Sequence, residues 1–179
     1  EYNKKHPPSK AAWGASFKWK PPEYNTIDFL VRTKTDSNGN EIIKTSFSAG
    51  SSLTTDGNVS YYKIIELYVG HNSNRDGYLN PMQDILDGNL TKTGTNTEYK
   101  AALFYPSNPY PNYNTHICYV PVESPTSHMK TENGLVFTDS TIVEFKYNQN
   151  NDEHYRWVPI RVRHDKTYEF KTGQNNFGN

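Results

Sequence analysis

Hydrophobic and polar residues alternate with a period of two along much of this chain, a pattern typical of half-buried β-strands. Six segments rich in β-branched and aromatic residues are predicted strands: 26–35, 61–69, 100–105, 116–122, 140–147 and 157–163. Turn signals such as Asn38-Gly39-Asn40 separate them. Only residues 80–86 look helical, since Asn80 suits an N-cap and Pro81 the first helical position. The pattern predicts a mainly β domain, first as a closed or nearly closed barrel and second as a sandwich.

The composition adds long polar loops to this picture. Hydrophobic residues make up 34% of the 179 residues, against a usual share of about 45 to 50%, and the mean hydropathy is -0.90. The Ser-, Thr-, Gly- and Asn-rich segments 45–60 and 88–97 are therefore predicted surface insertions. The 14 tyrosines and 8 phenylalanines argue against disorder and indicate an aromatic core.

The charge balance restricts how the chain binds polyanions. Nineteen basic and nineteen acidic residues give a net charge of zero, so any anion binding must be local. The single cysteine, Cys118, excludes an internal disulfide and suggests an intracellular, reducing compartment. No apolar run approaches the ~18 residues that a membrane span needs, and the six histidines show no zinc-ligand spacing. We predict neither a membrane partner nor a metal site in this chain.

One local cluster is the stretch SFKWKPP, residues 16–22. Read as a strand, it places Lys18 and Lys20 on one face and Phe17 and Trp19 on the other. Residues two apart on a strand lie about 6.5 to 7 Å apart, so the two ammonium groups repel each other modestly unless an anion lies between them. A phosphate group fits this requirement.

A second cluster is the stretch RWVPIRVRHDKT, residues 156–167. Read as one strand, positions 158, 160 and 162 form an apolar face, and Arg161, Arg163 and Asp165 project from the opposite face, with Lys166 following. Arginine grips phosphate oxygens in a planar fork, which makes this a second candidate anion site. The alternative is that both clusters are edge strands with solvated charges, Asp165 pairing with Arg163 or Lys166.

The two clusters together resemble a known enzyme family. KWKPP at 18–22, followed by TIDF at 26–29, resembles motif V of mRNA guanylyltransferases. RVRHDK at 161–166 resembles their motif VI, Arg-x-Arg-x-Asp-Lys, which lies on the OB domain. The order and separation of the motifs agree, and the likeness is greatest to capping enzymes of large nucleocytoplasmic DNA viruses.

The resemblance implies an OB-fold Greek-key barrel with long insertions and one or two short helices, preceded by the last strand of a nucleotidyltransferase domain. The implied divisions are residues 1–22 for the end of that domain, 23–170 for the OB fold with motif VI at 157–166, and 171–179 for a linker. The resemblance also implies an upstream nucleotidyltransferase domain and a downstream RNA methyltransferase domain. The start without methionine and the Gly- and Asn-rich end are those expected of a fragment followed by a linker. Host cytoplasm, viral factory or virion is the implied location.

The resemblance also implies the chemistry. The family forms a lysyl-GMP adduct from GTP at a Lys-x-Asp-Gly motif, which this chain lacks, and passes GMP to the 5′-diphosphate end of RNA. The chain alone is therefore expected to be inactive, with Mg²⁺ or Mn²⁺ bound mainly outside it. The implied catalytic residues are Lys18 and Lys20 at the α-phosphate and Arg161, Arg163, Asp165 and Lys166 at the β- and γ-phosphates.

Two other classes of protein remain compatible with the sequence. An ATP-dependent polynucleotide ligase shares the lysyl-nucleotide scheme and a related motif VI, and nucleotide choice would separate it from a capping enzyme. A non-catalytic β-domain, either a virion structural module or an OB-type single-strand binder, would ignore GTP and pyrophosphate.

Overall fold

The computed structural model describes residues 25–46, 60–72, 99–105 and 114–178, and strands dominate them, which confirms the mainly β fold class. Its strands are β1 (Thr26–Thr33), β2 (Ile43–Ser46), β3 (Ser60–His71), β4 (Lys100–Leu103), β5 (Ile117–Val122), β6 (Met129–Lys130), β7 (Val136–Phe137), β8 (Thr141–Tyr147) and β9 (Trp157–Val162). A 3-10 turn at Glu153–Tyr155 precedes β9, and an α-helix, α1 (His164–Lys171), follows it. Each of the six predicted strand segments overlaps one of these strands, namely β1, β3, β4, β5, β8 or β9.

The twelve-residue strand β3 is the centre of an antiparallel sheet and carries two partner strands along each edge. Strands β1 and β2 follow one another along the first edge. The chain leaves this edge after Lys34 and returns at Ile42, whose amide donates to the Lys34 carbonyl at 2.9 Å. The predicted turn lies in this excursion, where Gly39 has a φ of 82° that favours glycine.

The second edge of β3 is interrupted in the same way. Strand β5 pairs with the first half of β3 and β4 with the second half. The amide of Phe104 donates to the Leu67 carbonyl at 2.9 Å, and the Leu67 amide donates to the His116 carbonyl at 2.8 Å. The chain therefore leaves and rejoins the sheet at a single residue of β3.

The remaining large strands extend the sheet beyond β1, since β8 pairs with β1 and β9 pairs with β8. Phe29 of β1 is fully buried and contacts the rings of Phe104, Phe145 and Trp157, with centroid distances of 4.9, 5.7 and 5.0 Å. The Cys118 thiol of β5 donates to the Trp157 carbonyl of β9 at 3.2 Å, so the two outer strands approach each other. Among the described strands no ladder joins them, and barrel closure stays a prediction.

The strand predicted at 157–163 is confirmed, but the prediction that Arg161, Arg163 and Asp165 project from one face of it was wrong. Strand β9 ends at Val162, and α1 begins at His164, so Asp165 and Lys166 lie in a helix. The register between β8 and β9 also shifts between Glu144 and Phe145, which leaves Ile160 as an extra residue. Because of this bulge, Trp157 and Val162 pack on the same core, although the alternation had placed them on opposite faces.

Several predictions fall outside the described residues, namely the strand within 16–22, the helix at 80–86, the insertion at 88–97 and most of the insertion at 45–60. The domain divisions stay predictions. The final described residues lie against the sheet: the Phe177 ring packs on Phe170 and Tyr99, and Gly178 forms an antiparallel bridge with Phe29.

Candidate phosphate-binding site

Asp28, in the middle of β1, organises the cationic side chains of the second cluster. The residue is 9% exposed and lies beside the fully buried Phe29. A carboxylate at such a place is costly to bury unless cations neutralise it. The Arg163 Nη1 donates to Asp28 Oδ2 at 2.5 Å and the Lys166 Nζ at 2.8 Å, so two cations meet one buried acid.

The junction between β9 and α1 brings these two cations together. Arg163 is the N-cap of α1, and its amide donates to the Ile142 carbonyl at 2.9 Å, which fixes the backbone to β8. Lys166 follows three residues later, one helical turn on, and therefore projects to the same side. Each cation has a further partner: Arg163 Nη2 contacts Asp165 at 3.0 Å, and Lys166 Nζ donates to the Gly178 carbonyl at 2.5 Å.

Arg161 belongs to the same network through a second carboxylate. Asp28 lies opposite Glu144 across β1 and β8, and Glu144 lies opposite Arg161 across β8 and β9. Arg161 donates to Glu144 Oε2 from Nε at 2.8 Å and from Nη2 at 2.5 Å, and Thr26 Oγ1 donates to Oε1 at 2.6 Å. Two acids facing each other on adjacent strands repel, and the three cations offset that repulsion.

The network is charge-balanced as it stands, because three carboxylates face three cations. The hydrogen bond from Arg163 lowers the pKa of Asp165 to about 2 and raises the pKa of Arg163 itself. Burial alone would raise the pKa of Glu144, but hydrogen bonds from Thr26 and Arg161 outweigh it and lower that pKa. Asp165 and Glu144 are therefore ionised near neutral pH, and an incoming phosphate competes with these carboxylates for Arg163 and Arg161.

The four predicted residues of the second cluster thus share one network, although they do not share one strand face. Arg161 is the most accessible, with 57% of its side chain exposed, while the side chains of Arg163 and Lys166 are 24% and 23% exposed. Asp165 pairs with Arg163, which is one of the two pairings expected if the cluster were an edge strand with solvated charges. Lys18 and Lys20 lie outside the described residues, and their roles stay predictions.

Sequence reasoning missed the two acids that hold these cations. A signal for Asp28 was present, since it interrupts the apolar run of TIDFLV at 26–31, and an acid inside a buried strand needs a cationic partner. Glu144 occupies a similar place in TIVEFKY at 141–147. What the sequence does not contain is the pairing, because 135 positions separate Asp28 from Arg163.

The comparison with curated proteins finds one informative relative. Over 166 residues the chain is 29% identical to the "Probable mRNA-capping enzyme" of Acanthamoeba polyphaga mimivirus, a match that covers 91% of this chain and 11% of the relative. The chain is similar to a viral mRNA-capping enzyme. No family model matches the chain. No solved structure matches it either.

The match to the mimivirus capping enzyme confirms the resemblance drawn from the two motifs. It spans nearly the whole chain, so it is not limited to the short KWKPP and RVRHDK stretches that suggested the family. The chain corresponds to about a tenth of that capping enzyme's length, and the mainly β architecture agrees with the OB-like fold that the resemblance implied.

The described ranges contain neither a metal-ligand group nor a membrane-spanning helix. No three His, Cys, Asp or Glu side chains there are grouped so that they could hold a metal ion. Asp28 and Glu144 are both engaged by cationic side chains, which leaves them poor candidates for a divalent cation. No helix of the described residues has the length and apolar character to cross a membrane.

Proposed function

We propose that this chain is the OB-fold part of an mRNA guanylyltransferase, which closes on GTP and orients its triphosphate while a lysyl-GMP adduct forms elsewhere in the enzyme. The observation that carries the proposal is the contact of Asp28 with Arg163 and Lys166. This contact joins the TIDF part of the motif V resemblance to the motif VI resemblance, near the opposite end of the chain. The similarity to a capping enzyme over 91% of the chain supports it.

In this proposal the carboxylates position the cations before the nucleotide arrives. Arg161, Arg163 and Lys166 contact the β- and γ-phosphates, each charge-assisted contact contributing about 1.5 to 3 kcal/mol. Asp165 holds Arg163 in the orientation that a phosphate oxygen then meets. Lys18 and Lys20 neutralise the α-phosphate as pyrophosphate departs, which is an electrostatic task without proton transfer. Reopening releases pyrophosphate and exposes the adduct to the 5′-diphosphate end of RNA.

The proposed enzyme extends beyond this chain on both sides. The nucleophilic lysine belongs to an upstream nucleotidyltransferase domain, and an RNA methyltransferase domain follows. The chain alone is inactive because it lacks the Lys-x-Asp-Gly motif that supplies this lysine. A divalent cation, Mg²⁺ or Mn²⁺, accompanies the triphosphate and is bound mainly outside the described residues. A capping role would be carried out in the host cytoplasm, in a viral factory or in the virion.

The experiment separates the two half-reactions in the enzyme that contains this chain and its upstream domain. With α-³²P-labelled GTP, Arg163→Ala is expected to reduce enzyme–GMP formation by about 10²- to 10³-fold, as for other preorganised charge donors. Transfer of GMP from preformed adduct to diphosphate RNA should persist. The matched control is Lys130→Ala, which removes an exposed cation that also pairs with an acid, Glu123, and should leave both steps unchanged.

Two results would contradict the proposal. Normal adduct formation by Arg163→Ala, with transfer to RNA lost, would mean that the cluster serves the second half-reaction. Labelling by ATP in preference to GTP would assign the chain to a polynucleotide ligase instead.

A further inference from the structure

A second candidate site lies at the other end of β9 from the Asp28 network. It is a cavity of about 270 Å³ between the start of β5, the end of β8 and the 3-10 turn before β9. Drug-sized ligands occupy pockets of about 300 to 1,000 Å³, so this cavity suits a single ring system. Trp157 at its edge and Val162 beside the network are five positions apart on β9, which is roughly 17 Å of strand.

One wall of the cavity is an exposed aromatic pair. Tyr147 at the end of β8 is 52% exposed, and its ring lies 5.0 Å from the ring of Trp157, its register partner on β9. Trp157 in turn packs edge-to-face on Phe29 and Phe104, so the pair is anchored in the core. A solvent-facing ring on a rigid support is the arrangement on which nucleic acid bases stack.

The cavity also contains the guanidinium group of Arg156. Arg156 donates from Nε to the Asn151 carbonyl at 3.2 Å, and within the described part of the chain no carboxylate lies at ion-pair distance from it. The guanidinium groups of Arg161 and Arg163 differ, since both are engaged by carboxylates. A phosphate can therefore reach Arg156 without displacing an acid. Glu153 and Asn114 bring a carboxylate and an amide to the same cavity.

We propose that this cavity binds one nucleotide of single-stranded RNA, with the base against Tyr147 and a phosphate on Arg156. The choice of RNA as ligand rests on the proposed capping function. Two observations do not depend on that function: the exposed Tyr147 ring offers a stacking surface, and Arg156 forms no ion pair among the described residues. Both side chains line the same cavity. The site would hold the transcript while the Asp28 network engages the triphosphate.

The test measures RNA binding directly, with no GTP present. A fluorescein-labelled, unstructured ten-nucleotide RNA is titrated with the full chain across a salt series and followed by anisotropy. Tyr147→Ala should weaken binding by about 5- to 150-fold, the range found for loss of one base–aromatic stack, and Tyr147→Phe should retain it. Arg156→Gln should lower the slope of log K against log salt by about 0.7, as for one phosphate contact on a single strand.

Matched controls come from α1. Tyr168→Ala removes an aromatic side chain that is 67% exposed, and Lys171→Gln removes an exposed cation, and neither should change the affinity or the slope. Wild-type affinity in both cavity variants, or equal losses in the controls, would overturn the proposal. Loss of binding in Tyr147→Phe as well as Tyr147→Ala would also overturn it, because stacking needs only the ring. Failure here with normal enzyme–GMP formation would leave the proposed function standing, and the converse result would leave this site standing.

Discussion

Replacing Asp28 by asparagine tests whether the buried acid holds the network together. The substitution keeps the shape of the side chain and removes its charge, which leaves Arg163 and Lys166 without their shared partner. Breaking a buried ion pair from one side costs about 3 to 5 kcal/mol. Arg163 retains Asp165, Lys166 retains the Gly178 carbonyl, and both cations keep about a quarter of their side-chain surface in water. We therefore expect a loss of about 2 to 3 kcal/mol in the free energy of unfolding.

The assay is urea unfolding of the full chain, followed by circular dichroism. With a slope of about 2 kcal/mol per molar urea, the midpoint for Asp28→Asn should fall by about 1 to 1.5 M. The control is Glu123→Gln, since its carboxylate is 76% exposed and solvent screens its pair with Lys130, so the midpoint should barely move. Adding Lys166→Met to Asp28→Asn should recover part of the loss, because it removes one uncompensated cation. A midpoint for Asp28→Asn no lower than that of Glu123→Gln would refute the reasoning.

Three further outcomes follow from the structure. Asp165 has a lowered pKa, so its contribution to stability is present above the ordinary carboxyl value of 3.8 and is lost as the pH falls to about 2; Asp165→Asn should abolish that part of the acid transition in a pH series of thermal melts. Gly178 has a φ of 120°, and a Cβ added there would overlap the Asp28 carbonyl of β1. Gly178→Ala should therefore release Lys166 and increase its acylation by an amine reagent several-fold, as measured by mass spectrometry. The control is Gly173→Ala, whose added Cβ meets open space; equal acylation of Lys166 in the two variants would contradict this. Burial raises the pKa of Cys118, so iodoacetamide should label it only after unfolding, and labelling of the native chain would count against the buried position.

Six of the nine described strands were predictable because their residues carry two independent signals, alternation and β-branched or aromatic composition. The short strands β2, β6 and β7 were not predicted, and β2 overlaps the start of the predicted insertion at 45–60. The segment 141–147 illustrates this: Ile142, Val143 and Phe145 are fully buried, and turn residues precede it. Such a segment forms a strand in almost any β context, so its local sequence decides the outcome.

Helix α1 was not predictable for the opposite reason. Its sequence HDKTYEFK has no buried residue, and Arg163 at its N-cap makes no side-chain cap hydrogen bond. The helix is held from outside: Thr167 Oγ1 accepts from the Ile142 amide at 2.9 Å, and Lys166 is fixed on Asp28. Helix propensity, which depends on the local sequence alone, cannot predict a helix that is held by such tertiary contacts.

The candidate site was predictable in part. Arg161, Arg163, Asp165 and Lys166 were found from their charge and from the family resemblance, and they do share one network. The acids that hold the cations, Asp28 and Glu144, were not found, because their pairing depends on the β1–β8–β9 register and on the extra residue at Ile160, which no alternation rule shows.

The two interruptions beside β3 have a practical consequence for protein engineering. At the first, the residues where the main chain departs and returns, Lys34 and Ile42, are already joined by a hydrogen bond. Foreign peptides spliced between these residues would begin and end at fixed, adjacent points, and each doubling of their length would add only about 0.6 kcal/mol of closure entropy. This hairpin is therefore a suitable insertion site for epitopes or reporters in the domain.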